Sequence, residues 1–109
     1  AGASYASRWT TVHGEQLKDS MKKAVTTNGF AFVEAASPCP TAFGRRVGFK
    51  DVSAMIKWFK ENSVPLEQTT KMTEKELVKK IVVGEYVSRQ IPTLTENLYK
   101  IVREAETSA

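Results

Sequence analysis

The sequence has a single cysteine and a single histidine in 109 residues. One cysteine cannot close an internal disulfide, so a reducing, cytoplasmic setting is expected. The apolar runs fall well short of the roughly 20 residues that a membrane helix needs, and no membrane association is expected. The opening residues, AGASYASRW, carry neither the basic region nor the apolar core of a secretory signal. There is no HExxH, no CxxC pair, no glycine-rich phosphate loop and no recognisable Ser-His-Asp arrangement, so no catalytic residue is assigned. Repeats and low-complexity tracts are absent too.

What is present is the composition of an ordinary globular protein, 41% hydrophobic and 26% charged. Lys and Arg number 16 against 12 Asp and Glu, a net charge of +4. These charges lie dispersed in mixed runs such as KMTEKELVKK. A nucleic-acid binder concentrates its cations on one face, so nucleic acid is not an expected partner. An acidic protein surface or an anionic ligand accounts for the excess as well. The chain begins with Ala1, at residues that already read as the edge of a strand, and a cut through a longer protein is expected.

Periodicity divides the chain into alternating elements. SYASRWTTV, Ser4 to Val12, is rich in β-branched and aromatic residues and predicts a strand. Leu17, Met21, Ala24 and Val25 then draw one apolar stripe on a helix, closed by Asn28-Gly29. FAFVEAAS predicts a strand buried on both faces, completing a βαβ unit. Val52, Met55, Ile56 and Phe59 predict an amphipathic helix capped at Asp51 and stopped by Pro65. PLEQTTKM reads as a loop, and Thr73 with Glu76 has the spacing of a capping box. IVVGEYVSRQ predicts a strand or hairpin with Gly84 as a bulge or turn. Pro92, placed as a first helical residue, opens a last helix with Leu94, Leu98, Ile101, Val102 and Ala105 along one side. The class is α/β.

The segment FVEAASPCPTAFGRR stands apart. A strand running into Pro38-Cys39-Pro40 delivers the thiol to the carboxyl end of a sheet, where α/β folds bind ligands. Both prolines restrict the residue before them. Such a thiol is either an inert buried side chain or one preorganised for metal ligation or reactivity. Arg45 and Arg46 would depress its pKa if they came close. His13 lies between the first strand and helix, a placement that suits substrate contact or a plain helix entry. Arg8 has similar standing. Trp9 reads as core or interface, and Trp58 beside Phe59 as a helix face buried against the sheet or a partner.

The run GFAFVEAASPCPTAFGRRVGFKDVSAMIKWFKENSVPL resembles the beta subunit of the thiamine-dependent 2-oxoacid:ferredoxin oxidoreductases, most closely the 2-oxoglutarate branch. AGASYASRWTTVH and VVGEYVSRQIPTLTENLYKI resemble flanking segments of the same family, in the same order. The resemblance spans essentially all of the chain and implies the C-terminal part of a thiamine-diphosphate-binding-type fold, a βαβ unit plus C-terminal helices. Residues 1–64 would form the βαβ core, cluster-ligand loop and following helix, and residues 65–109 a C-terminal strand and helix extension.

The family function this implies is oxidative decarboxylation of a 2-oxoacid, 2-oxoglutarate above all, to an acyl-coenzyme A with reduction of ferredoxin, the activity of a 2-oxoglutarate synthase. The implied cofactors are a [4Fe–4S] cluster, thiamine diphosphate and Mg²⁺. The implied partners are the alpha and further subunits, ferredoxin, coenzyme A and the 2-oxoacid. In the family, the position of Cys39 is one of four thiolates on the cluster. The other three cysteines and the G-D-G segment that places thiamine diphosphate lie upstream in the family, so this chain alone is expected to be inactive. Arg45 and Arg46 become candidates for meeting the distal carboxylate, coenzyme A phosphates or acidic ferredoxin, with Arg8 and His13 as weaker contacts. Ala42 and Val47 depart from the aromatic and Asn common at their positions. The competing reading is a stand-alone, non-catalytic interaction module that docks through Trp58, Phe59 and the last helix, with Cys39 inert.

Overall fold

β-Branched and aromatic residues over Tyr5–Thr10 form strand β1, and the helix formers of Gly14–Thr26 form helix α1. Ala31–Ala36 forms β2, parallel to β1 with Tyr5 beside Ala31 and Thr10 beside Ala36. This is the expected βαβ unit. The computed structural model describes all 109 residues, Ala1–Ala109.

Past β2 the chain makes a tight helical turn at Pro40–Gly44, one further turn α2 at Arg45–Val47, and helix α3 at Val52–Asn62. Short β3 (Ser63–Pro65), α4 (Glu74–Leu77), β4 (Ile81–Ser88) and the terminal helix α5 (Leu94–Thr107) complete it. The sheet order is β2-β1-β4-β3, with β4 antiparallel to β1 and β3 parallel to β4. Strand β4 of the 65–109 portion thus lies between β1 of the 1–64 portion and β3, which straddles the boundary of the two.

The apolar core is small: Tyr5, Met55, Phe59, Val64 and Val83. Beneath α1, Ser20 rather than the apolar stripe is buried, while Met21 and Val25 face out, Val25 at 88% exposure. The reason is the partner surface. Tyr5 and Trp9 of β1 present polar atoms to α1, and the Ser20 hydroxyl satisfies both, at 2.9 Å and 2.6 Å.

Several expectations need correction. β2 is not buried on both faces; it is an edge strand with Phe32 at 53% exposure. Pro65 does not stop α3, which ends at Asn62. There the Ser63 hydroxyl donates to the Phe59 carbonyl (2.6 Å), and the chain extends to pair with β4. Leu66–Lys71, expected as loop, is a 3₁₀ helix.

The bulge falls at Tyr86, skipped between the Ser7–Glu85 and Ala6–Val87 pairs. Gly84 stays in register with Arg8, at φ 141, where an added Cβ would lie 3.2 Å from Leu66 Cβ. Pro92 precedes rather than opens α5, because a capping box at Thr93 starts the helix two residues later, at Leu94. Thr93 Oγ1 accepts from the Glu96 amide (3.2 Å), and the Glu96 carboxylate accepts from the Thr93 amide (2.6 Å). The Thr73–Glu76 box is present as expected.

Helix α5 is amphipathic, yet its apolar side packs on nothing: Leu94 is 84% exposed, and Leu98, Ile101 and Val102 are exposed as well. The molecule is accordingly elongated, 71 × 29 × 24 Å.

Candidate functional site at the Cys39 loop

The parallel pairing of β1 and β2 sets the site. Thr10 and Ala36 are register partners at the carboxyl ends of the two strands, and the Thr11 amide donates to the Ala36 carbonyl (3.1 Å). His13 and Cys39 both follow from this end of the sheet.

Cys39 is extended (φ −107°, ψ 108°) and immediately precedes the Pro40–Gly44 turn. Its carbonyl accepts from the Gly44 amide at 2.9 Å, which closes the turn. Gly44 is buried where an added Cβ would come 3.6 Å from Met55 Sδ and 3.7 Å from the Cys39 carbonyl, so the loop sits close against α3. Phe43 anchors it. Its ring centroid lies 5.7 Å from Phe49, 5.6 Å from Trp58 and 5.9 Å from Phe59, an aromatic cluster that fixes the turn on α3. Trp58 and Phe59 therefore serve as the platform for the loop.

Cys39 is exposed, so it is not a core side chain of these 109 residues. Thr41 Oγ1 lies 3.4 Å from the sulfur. The Thr41 hydroxyl and the backbone amides of Ala42, Thr41 and Phe43 hold the Cys39 pKa down to about 7. Arg45 and Arg46, which would have lowered it had they come close, are not among the groups that do so. Both arginines are exposed on α2, the short turn after Gly44. Arg45 borders a cleft of about 200 Å³ with Pro40, Lys50 and Met55.

The other expected contacts hold partners of their own. His13 heads α1, its Nδ1 bonded to Thr10 Oγ1 at 2.7 Å and its ring 6.0 Å from Trp9. Arg8 sits mid-strand, its Nε donating to Glu34 at 2.8 Å and its guanidinium 5.8 Å above the Tyr86 ring. The Glu34 carboxylate holds the Arg8 pKa above its usual range.

Cys39 stands alone as a candidate ligand, since no three His, Cys, Asp or Glu side chains converge anywhere in the chain. As one ligand of a shared centre it fits: the sulfur is exposed, and its contacts are hydrogen-bond donors suited to a thiolate. The residues missed from sequence are Thr41 and Phe43. Both were inside the quoted motif, and their offset from Cys39 across one helical turn was the available signal.

Similarity to known proteins extends over nearly the whole chain. The chain is 44% identical over 107 residues to 2-oxoglutarate synthase subunit KorB of Methanocaldococcus jannaschii. Its identity to the KorB subunits of Methanothermobacter thermautotrophicus and Methanothermobacter marburgensis is 44% and 40%, each over 104 residues. The chain is a homologue of part of subunit KorB. It is covered almost completely, at 95–98%, but spans only 36–40% of the length of these relatives, which accords with a C-terminal portion. No family model matches. Among solved structures, the fold is similar to part of a chain of the 2-oxoglutarate:ferredoxin oxidoreductase from Magnetococcus marinus, solved with 2-oxoglutarate, coenzyme A and succinyl-CoA bound. The TM-score is 0.64 at 21% identity, over 96% of this chain and 36% of that one. The mixed four-stranded sheet with its helices is thus an α/β arrangement like that of the Magnetococcus marinus protein, as expected.

Proposed function

We propose that this chain is the C-terminal portion of the beta subunit of a cytoplasmic 2-oxoacid:ferredoxin oxidoreductase acting on 2-oxoglutarate. In it, Cys39 gives one thiolate to a [4Fe–4S] cluster whose other ligands lie outside these 109 residues. The observation that carries the reading is the exposed Cys39 sulfur, surrounded by donors, in a chain 40–44% identical to KorB subunits.

The whole enzyme would convert 2-oxoglutarate and coenzyme A to an acyl-coenzyme A and carbon dioxide, passing two electrons to ferredoxin. When bound, thiamine diphosphate supplies the carbanion chemistry and the cluster carries electrons onward. Residues for thiamine diphosphate and Mg²⁺ would lie elsewhere in the subunit. This chain's own contribution is placement. Pro38 and Pro40 restrict the backbone on both sides of Cys39. Phe43 ties the loop to α3, and Thr41 with the neighbouring amides favours the unprotonated sulfur.

Arg45, at the mouth of its cleft, and Arg46 are the candidates for meeting a substrate carboxylate, coenzyme A phosphates or an acidic ferredoxin surface. Arg8 and His13 are weaker candidates, because each already holds an internal partner. The alpha and further subunits would cover the open sheet edge and helix faces.

The test is activity by parts. The isolated chain, given 2-oxoglutarate, coenzyme A, thiamine diphosphate, Mg²⁺ and a viologen dye, should reduce no dye. The complete complex should reduce it. Turnover by the isolated chain would overturn the proposal.

A further inference from the structure

We infer that Arg45, Arg46 and Lys50 form a docking face for an acidic electron-carrier protein. This inference rests on the proposed reading of the chain as part of an enzyme that reduces ferredoxin. It does not depend on the ligand role of Cys39.

The stretch 45–50 carries these three cations, and no Asp or Glu stands between Glu34 and Asp51. All three side chains are exposed, and none lies within ion-pair distance of a carboxylate. The backbone gathers them. The Gly44 carbonyl accepts from the amides of Gly48 (3.0 Å) and Phe49 (3.1 Å), with Gly48 left-handed at φ 76°, so the chain turns back on itself. Lys50 is thereby brought to the same cleft as Arg45, about 200 Å³ between the Pro40 turn and the start of α3. The Phe49 ring, 5.7 Å from Phe43 and 6.1 Å from Trp58, fixes that turn on α3. The carboxylate at the cleft, Asp51, is engaged by its own helix: its Oδ1 accepts from the Ala54 amide at 2.7 Å.

Size and exposure select the occupant. The cleft is smaller than the roughly 300 Å³ at which small-molecule sites begin, and its cations stand in water, whereas a reacting carboxylate is held where water is excluded. A permanent subunit contact is dominated by apolar area, such as the exposed side of α5. A transient redox encounter is small and led by charge, and complementary charges at its rim act on the rate of association. Unpaired cations fixed on a rigid turn fit the second kind, and the partner they fit presents carboxylates.

The experiment is steady-state kinetics of the complete complex with 2-oxoglutarate and coenzyme A, comparing ferredoxin with a viologen dye as acceptor. The triple variant Arg45→Ala, Arg46→Ala, Lys50→Ala should lower kcat/KM for ferredoxin about tenfold at low salt, through KM. The gap to wild type should close toward about 1 M salt, where screening acts within about 3 Å. With the dye, KM for 2-oxoglutarate and for coenzyme A should match wild type. An unchanged kcat/KM for ferredoxin at low salt overturns the inference. So does a raised KM for 2-oxoglutarate or coenzyme A with the dye, which would assign the cations to a small molecule. Loss of the other subunits from the triple variant on gel filtration overturns it too, by making the face a permanent contact. A wild-type complex that reduces neither acceptor removes the reading on which the inference rests, whatever the variant shows.

Discussion

The Tyr5 hydroxyl donates to the Glu85 carboxylate at 2.8 Å across the β1–β4 pair, and that bond orders a chain of others. Ionised Glu85 only accepts, so the one phenolic proton goes to it. Ser20, 2.9 Å from the Tyr5 oxygen, must then donate to Tyr5 while accepting from Trp9 Nε1 at 2.6 Å. Lys23 of α1 closes the series on Glu85 at 2.7 Å. This relay binds α1 to the sheet in place of an apolar stripe. Tyr5→Phe should therefore destabilise the 109-residue chain by about 1–3 kcal/mol in urea unfolding, the range for a buried group left without its partner. Tyr86→Phe, which removes an exposed bond to the Val82 carbonyl, should cost much less. Equal losses in the two variants would contradict the relay.

The same carboxylate sets a pH dependence. Lys23, with help from Tyr5, holds the Glu85 pKa below its usual value of 4.5. A depressed folded-state pKa means that the contribution is complete above pH 4.5 and is lost as pH falls below it. Unfolding midpoints measured from pH 6 down to about 3 should drop less steeply in Glu85→Gln than in the wild type. Identical acid limbs would show that the ion pair adds nothing.

Burial divides the apolar residues into two groups that mutation should separate. Phe59 and Met55 are buried, and Phe59→Ala or Met55→Ala should cost about 2–5 kcal/mol. Ile101→Glu on α5 removes an equally apolar side chain that packs on nothing, and should change stability by no more than about 0.5 kcal/mol. A large loss from Ile101→Glu in the isolated chain would mean that α5 folds back on the sheet.

In the same chain, the rate of Cys39 alkylation by iodoacetamide should rise with pH through a midpoint of about 7. The thiolate is the nucleophile, so the rate follows its fraction. Thr41→Val should move that midpoint up toward the ordinary value of 9.0, while Arg45→Ala should leave it in place. A midpoint that followed Arg45 instead would restore the charge-based explanation.

The βαβ unit, the Asp51 cap and the Thr73–Glu76 capping box were legible from spacing, whereas the Thr93–Glu96 box, with the same spacing, is passed over in favour of Pro92 as the helix start. The burial of faces was not legible. The Leu17-Met21-Val25 stripe and the α5 stripe look the same in sequence as core-facing helices, yet both stand largely in the open. Periodicity says which face is apolar and says nothing about what meets it. FAFVEAAS read as buried on both faces for a related reason: its composition suits a central strand, and here it lies at the edge of a sheet of four. At the loop, the prolines around Cys39 marked an extended backbone, which Cys39 has at φ −107° and ψ 108°. The adjacent Arg45-Arg46 pair would have lowered the thiol pKa only by coming close, and the lowering comes instead from donors within one turn of the sulfur.

The ligand role of Cys39 is tested most directly by the iron content and reduced-state EPR spectrum of the complete complex carrying Cys39→Ser. If Cys39 is one of the cluster's thiolates, the variant should lose iron or show an altered signal. A full complement of iron with an unchanged spectrum would contradict the account.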